Sequence, residues 1–190
     1  MHRIVRSSLL TALAFGGATW LAGCSSAPMG PGSNEIKNPS FVTNAQPAAG
    51  AFGATAAVSG PLDGSADIDG AVGGSLLVGR FTLTVPAGAF QGMGHVAIHV
   101  PDAAVVHCQL HITPESSNAF AIPVVLRTDC SGTNALDAAR LTEIWFDASS
   151  GVWRQVPGSA PDVVAFDVIA PLSHFSDYGV IELVDGKAGW

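Results

Sequence analysis

Two stretches, Phe81-Thr82-Leu83-Thr84-Val85 and His95-Val96-Ala97-Ile98-His99-Val100, alternate apolar and polar side chains with a period of two. That period puts alternate residues on opposite faces of an extended chain, so each stretch reads as a strand with one face turned to a core. The pattern recurs outward from them over Val106 to Thr113, Ile122 to Thr128, Leu141 to Phe146, Val152 to Val156, Val163 to Ile169 and Tyr178 to Leu183. These runs are rich in β-branched and aromatic residues and are punctuated by Pro, Gly, Asp and Ser. Asp147-Ala148-Ser149-Ser150-Gly151, between Trp145 and Trp153, marks a hairpin turn. Only Ala135 to Arg140 has the makings of a helical turn. Eight or so short strands at this spacing predict an all-β chain folded as a single antiparallel β-sandwich.

The rest of the composition fits that reading. The 190 residues allow one ordinary domain with extensions. Only 12% are charged, about half the usual share for a soluble domain. The formal charge is −7 and the only lysines are Lys37 and Lys187, so the basic footprint of a nucleic-acid binder is missing. At 48% apolar residues the chain has ample core material, which excludes global disorder.

The apolar excess is partly explained at the start of the chain. His2, Arg3 and Arg6 precede an uncharged run from Ser7 to Gly23, which includes Gly16, Gly17 and Thr19. A basic start followed by a short apolar stretch is a secretory signal, too short and weak for a stable membrane span. It ends Leu21-Ala22-Gly23-Cys24 and is followed by Ser25-Ser26. This resembles the lipobox of bacterial lipoproteins, in which the thiol of the Cys is acylated and the signal is cut before it. The resemblance implies residues 1–23 as signal peptide, Cys24 as the lipidation site, and a cell-envelope location held by lipid. By likeness to Gram-negative lipoproteins, Ser25 implies the outer membrane. Two or three acyl chains anchor stably where one alone is marginal. Losing Arg3 and Arg6 leaves six basic against fifteen acidic groups, a net −9, so lipid rather than charge is the expected membrane partner. Residues 24–49, with four Pro and many small residues, read as a flexible tether reaching about 25–30 Å, and residues 50–190 as the sandwich domain.

Within that domain, Gly73-Gly74-Ser75-Leu76 and Phe81 to Phe90 resemble the opening of the ZU-five domain, a β-sandwich found in zonula-occludens and Unc-five proteins and in bacterial envelope proteins. Ile112-Thr113-Pro114, Phe120-Ala121-Ile122-Pro123-Val124, Trp145-Phe146-Asp147 with Trp153, and His174-Phe175-Ser176-Asp177-Tyr178 resemble its later landmarks in order. The resemblance covers about residues 70–183. It implies immunoglobulin-like layering and a binding or structural module with no shared catalytic centre; for a module at the envelope, an envelope protein or a polysaccharide is the candidate partner. In some relatives a His-Phe-Ser motif cleaves its own backbone, which here implies attack by Ser176 on the Phe175 carbonyl with His174 as general base. A plain strand with Phe175 turned inward is the alternative.

The remaining candidates come from the residues themselves. With Cys24 lipidated, Cys108 and Cys130 form an even pair in an oxidising compartment, and both fall on apolar faces. A bridge between them closes a loop of about 22 residues and stabilises by roughly 3 kcal/mol; two reduced, buried thiols are the other possibility. A symmetric hairpin over 95–100 and 106–111 pairs positions summing to 206. It sets Val96 against Leu110 and Ile98 against Cys108, with His95 opposite His111 and His99 opposite His107. Each histidine pair is a candidate two-ligand metal site, incomplete for zinc, and the two pairs stand about 13 Å apart, too far to share one ion. A polar outer face, or one that charges at low pH, competes with it. Asp63, Asp67 and Asp69-Gly70 miss the calcium-loop spacing and read as turn residues. No nucleophile elbow, zincin helix or phosphate loop is present, and the expectation is a non-enzymatic module without a cofactor.

Overall fold

The structure, a computed structural model, describes residues 35–45, 60–184 and 187–188. The expected signal peptide, the expected lipidation site Cys24 and the rest of the expected tether lie outside the described residues. Two antiparallel sheets pack face to face. One is ordered β1 (Glu35–Ile36), β9 (Val152–Gln155), β8 (Leu141–Asp147), β12 (Asp177–Val184), β6 (His107–Thr113), β5 (Met93–Val100) and β2 (Leu62–Asp69), with β13 (Lys187–Ala188) beside β12. The other is β10 (Ala160–Asp162), β11 (Asp167–Leu172), β7 (Val124–Asp129), β4 (Phe81–Val85) and β3 (Gly74–Val78). The chain is an all-β sandwich, as its alternation requires.

Period two fills the space between the sheets. Phe81, Leu83 and Val85 of β4, Val96, Ile98 and Val100 of β5, and Leu110 and Ile112 of β6 are all at most 2% exposed. They meet Val124, Leu126, Val168, Ala170, Tyr178 and Val180 in one core. Each large aliphatic side chain buried this way contributes about 1.5–3 kcal/mol. At the β8–β9 turn the Asp147 carboxylate accepts from the backbone N–H of Ser149 and from the Ser149 and Ser150 hydroxyls, and Gly151 takes φ 68°. The hairpin expected there is present, and these bonds hold the Asp147 carboxyl well below the ordinary carboxylate range.

Four local expectations are corrected. The first concerns the β5–β6 register, in which Val96 pairs with Ile112, Ile98 with Leu110 and His99 with Gln109, a sum of 208. The Val106 N–H, which the symmetric hairpin needed, instead donates to the Val42 carbonyl, and Asp102 folds residues 102–105 into a turn of their own. A slip of two keeps every side chain on its face, so the core is as expected while the histidine partners change. The second concerns Val163 to Ile169, which is not one strand. Asp162 accepts from the N–H groups of Val164 and Ala165 and closes a hairpin turn, from which Phe166, at φ 62°, packs back on the core. The third concerns Asp63 and Asp67, read as turn residues, which lie within a full strand, Leu62–Asp69, at the sheet edge. Only Asp69 makes the expected turn bond, accepting from Ala71 N–H.

The fourth correction concerns the tether. Residues 35–44 are docked along the sandwich. Glu35 and Ile36 pair with Arg154 and Trp153, and Phe41 bridges to Ile181. Val42 N–H donates to the Val180 carbonyl, and Asn44 N–H to that of Ala104. Ile36, Ile144 and Ile181, with Phe41, Trp153 and Leu183, form a second small core on the outer face of the larger sheet. Gly179 makes room for it: a Cβ there would stand 2.4 Å from the Phe41 ring. Strand pairing with the sandwich thus already occurs at Glu35, well before the expected boundary at residue 50.

Candidate functional site

The His174-Phe175-Ser176 motif lies at the corner between β11 and β12, and each of its residues is tied down. Phe175 N–H donates to Asn118 Oδ1 at 2.6 Å, and Asn118 Nδ2 donates to the Phe175 carbonyl at 3.2 Å. The Tyr178 hydroxyl donates to the His174 carbonyl at 2.6 Å, like the tyrosine corners of other sandwiches. The Ser176 hydroxyl donates to the Phe146 carbonyl at 2.7 Å, and the Ser176 carbonyl accepts from Leu110 N–H. His174 Nδ1 lies 3.2 Å from Ser173 Oγ, and its ring stands edge-on to Trp145 at 4.7 Å. Partial burial lowers its pKa. Self-cleavage needs Ser176 Oγ bonded to its base and aimed at the Phe175 carbonyl carbon. Here that hydroxyl is engaged with another strand, and Phe175 is 4% exposed in the core. The arrangement works as a latch. Asn118, which holds both polar groups of Phe175, has no motif that marked it in the sequence.

The histidines of the larger sheet are separated by its register. His95 Nδ1–H donates to Asp67 at 2.7 Å and His99 Nδ1–H to Asp63 at 2.6 Å, each across the β2–β5 ladder. His111 faces Ala97, and His107 sits opposite Gly179. The pairs expected between His95 and His111 and between His99 and His107 are therefore not formed. Among the described residues no three His, Cys, Asp or Glu come together around a metal position. His107 is enclosed by Phe41 and Trp153, with ring centroids 5.3 and 5.9 Å away, and its Nε2 is 3.8 Å from Asp177. His107, together with the Gln109 side chain, holds Asp177 below the usual carboxylate range.

The expected Cys108–Cys130 bridge is absent. Cys108 lies on β6 of one sheet, Cys130 just beyond β7 of the other, and both are free, fully buried thiols. Burial raises both pKa values, that of Cys130 to about 12. Near them a charged residue that went unremarked in the sequence stands in the core. Glu143 is 0% exposed; Thr128 donates to its Oε2 at 3.1 Å, and its Oε1 has no partner among the described residues. Burial pushes its pKa up to about 8.

A cleft of about 380 Å³ opens at the end of the sandwich that carries the β3–β4 turn, between Leu62, Phe81, Val100 and Ala103. Arg80 lines it and donates to the Asp129 carbonyl at 2.6 Å and to the side chain of Asn44. A more polar hollow of about 230 Å³ on the other flank of Arg80 is lined by Thr82, Arg127 and Asp167. No family model matches the chain, and no curated protein or solved structure does so either. The ZU-five resemblance therefore rests on its ordered motifs.

Proposed function

We propose that the chain is a bacterial envelope lipoprotein, cut before Cys24 and held at the membrane by acyl chains on that residue. It displays the β-sandwich as a non-catalytic structural or interaction module toward an envelope protein or polysaccharide, at the outer membrane if the cell is Gram-negative. The observation that carries this is Leu21-Ala22-Gly23-Cys24 behind a basic start and an uncharged run. Among the described residues no helix is long and apolar enough to cross a membrane. The latched His174-Phe175-Ser176 corner supports a binding or scaffolding role over self-processing.

Intact mass spectrometry of detergent-extracted protein tests both points. The expected species begins at Cys24, carries two or three acyl chains, and ends unbroken at Trp190. An uncut or unacylated chain overturns the lipoprotein reading. Separate fragments ending at Phe175 and starting at Ser176 would move the reading to a self-processing domain.

A further inference from the structure

We infer that the outer edge of β3 is a strand-pairing surface for a second copy of this chain, joined antiparallel about a two-fold axis at Leu76. The inference does not depend on acylation of Cys24. It starts from the backbone groups that the β3–β4 ladder leaves over. Val78 and Phe81 pair across the two-residue turn Gly79-Arg80, and Asp129 N–H donates to the Arg80 carbonyl. Arg80, Thr82 and Thr84 therefore turn their peptide groups to β7, while Phe81, Leu83 and Val85 turn theirs to β3. On β3 the residues that answer them are Gly74, Leu76 and Val78. The N–H and C=O groups of Ser75 and Leu77 point away from the sheet, and no group among the described residues bonds to them.

The edge is also unguarded. Edges that stay single are ordinarily short, charged or interrupted by Pro. The other edges fit that rule: β1 and β13 have two residues each, β10 has three with Pro161 among them, and β2 carries Asp63, Asp67 and Asp69. β3 has five residues, none charged and none Pro, and its Leu77 is 68% exposed.

The spacing of the free groups selects the occupant. With Ser75 set opposite Leu77 of the second copy, each N–H meets a facing carbonyl, and the symmetric pair does the same on the other side of the axis. Both edges are then satisfied with no group left over. In that register Leu76 meets Leu76 of the second copy on the inner face, where it already packs against the core. On the outer face Leu77 lies beside Ser75 of the second copy and diagonal to its Leu77, which covers the exposed side chain. Gly74 to Val78 carries no charge in a chain of formal charge −7, so two copies meet here without like-charge repulsion. A strand pair of this length buries less than the roughly 1,200 Å² of a stable complex, so the contact is weak and depends on concentration.

The test uses covalent trapping in the full chain, with the parent chain as control for its own cysteines. Leu76→Cys, Ser75→Cys, Leu77→Cys and Thr84→Cys are made singly and oxidised. In the two-fold register the Cα atoms at 76 stand about 4.5 Å apart, within disulfide range, whereas those at 75 or at 77 stand about 7–8 Å from their own copies, beyond it. Leu76→Cys should therefore form a linked dimer faster than the other three. Adding Leu77→Lys, an exposed change, should slow that reaction about tenfold or more. A mixture of Ser75→Cys and Leu77→Cys, both at exposed positions, checks the register without touching the core. It should give the mixed dimer in excess of its statistical share, because that pair stands about 5.5 Å apart. A statistical share overturns the register, and equal rates at 75, 76 and 77 overturn the antiparallel pairing. A rate at 76 no greater than at 84, or one indifferent to Leu77→Lys, overturns the surface itself. Linkage at 76 in cell membranes to a different protein, with no self-linked dimer, overturns the second copy as occupant.

Discussion

Glu143 is a carboxyl group placed where apolar side chains are the rule. In Leu141-Thr142-Glu143-Ile144-Trp145 the period of two assigns Glu143 to the inward face with Leu141 and Trp145, while its charge assigns it to water. Pattern wins over polarity here because the group can take up a proton and become neutral. Its folded pKa of about 8 lies above the value near 4.5 expected in the unfolded chain. Between those limits the folded state binds more protons, so its contribution is complete below about pH 4.5 and is lost as pH rises through about 8. The slope reaches about 1.4 kcal/mol per pH unit within the window. Glu143→Gln cannot ionise, so urea unfolding at pH 5, 7 and 9 should show the variant gaining on the parent protein as pH rises. Parallel profiles for the two proteins would sink the assignment. The same conflict between pattern and polarity hid the pairing of Asp63 and Asp67 with His99 and His95. Acidic residues in an edge strand resemble turn residues until the neighbouring strand is known.

At the level of elements, strands with clean alternation were legible and those stabilised from elsewhere were not. β4, β5 and β8 declare themselves through side chains that face a core on one side. β1 has two residues, and its docking depends on Ile144, Ile181 and Trp153, which are more than a hundred positions away in sequence. Only the local run Phe41-Val42-Thr43 inside the Pro-rich stretch gave a sign of it. A register is likewise a property of two strands and whatever competes for their hydrogen bonds, and Val42 is that competitor at Val106. The docked segment has a measurable consequence. Phe41→Ala removes a half-buried ring from Trp153, His107 and Gly179 and should cost about 2 kcal/mol, somewhat under a fully buried Phe→Ala change. Urea midpoints compared in a Cys24→Ser background, which removes the proposed acylation site, measure it. A free tether would give no shift.

For the molecule as a whole, the fold class follows from composition and periodicity, since few arrangements bury so many half-apolar strands. The site did not follow in the same way. Cys108 and Cys130 each occupy an inward position, but sequence does not say which sheet each strand joins, and they end in different ones. Both thiols should therefore resist alkylation in the native protein and react fully in denaturant without any reductant. Failure to react until reductant is added would mean that they are bridged. The docking of Phe41 and Val42 onto Ile181 and Val180 also sets an order of events. These partners are nearly the whole domain apart, and contacts of such separation form late because a long loop must close first. In a chain that is made, or delivered across a membrane, from its N-terminus, the first segment of the domain to emerge has nowhere to sit until β12 arrives. The segment nearest the proposed lipidation site would thus be the last to fold, and its seating would mark a domain that has come through whole.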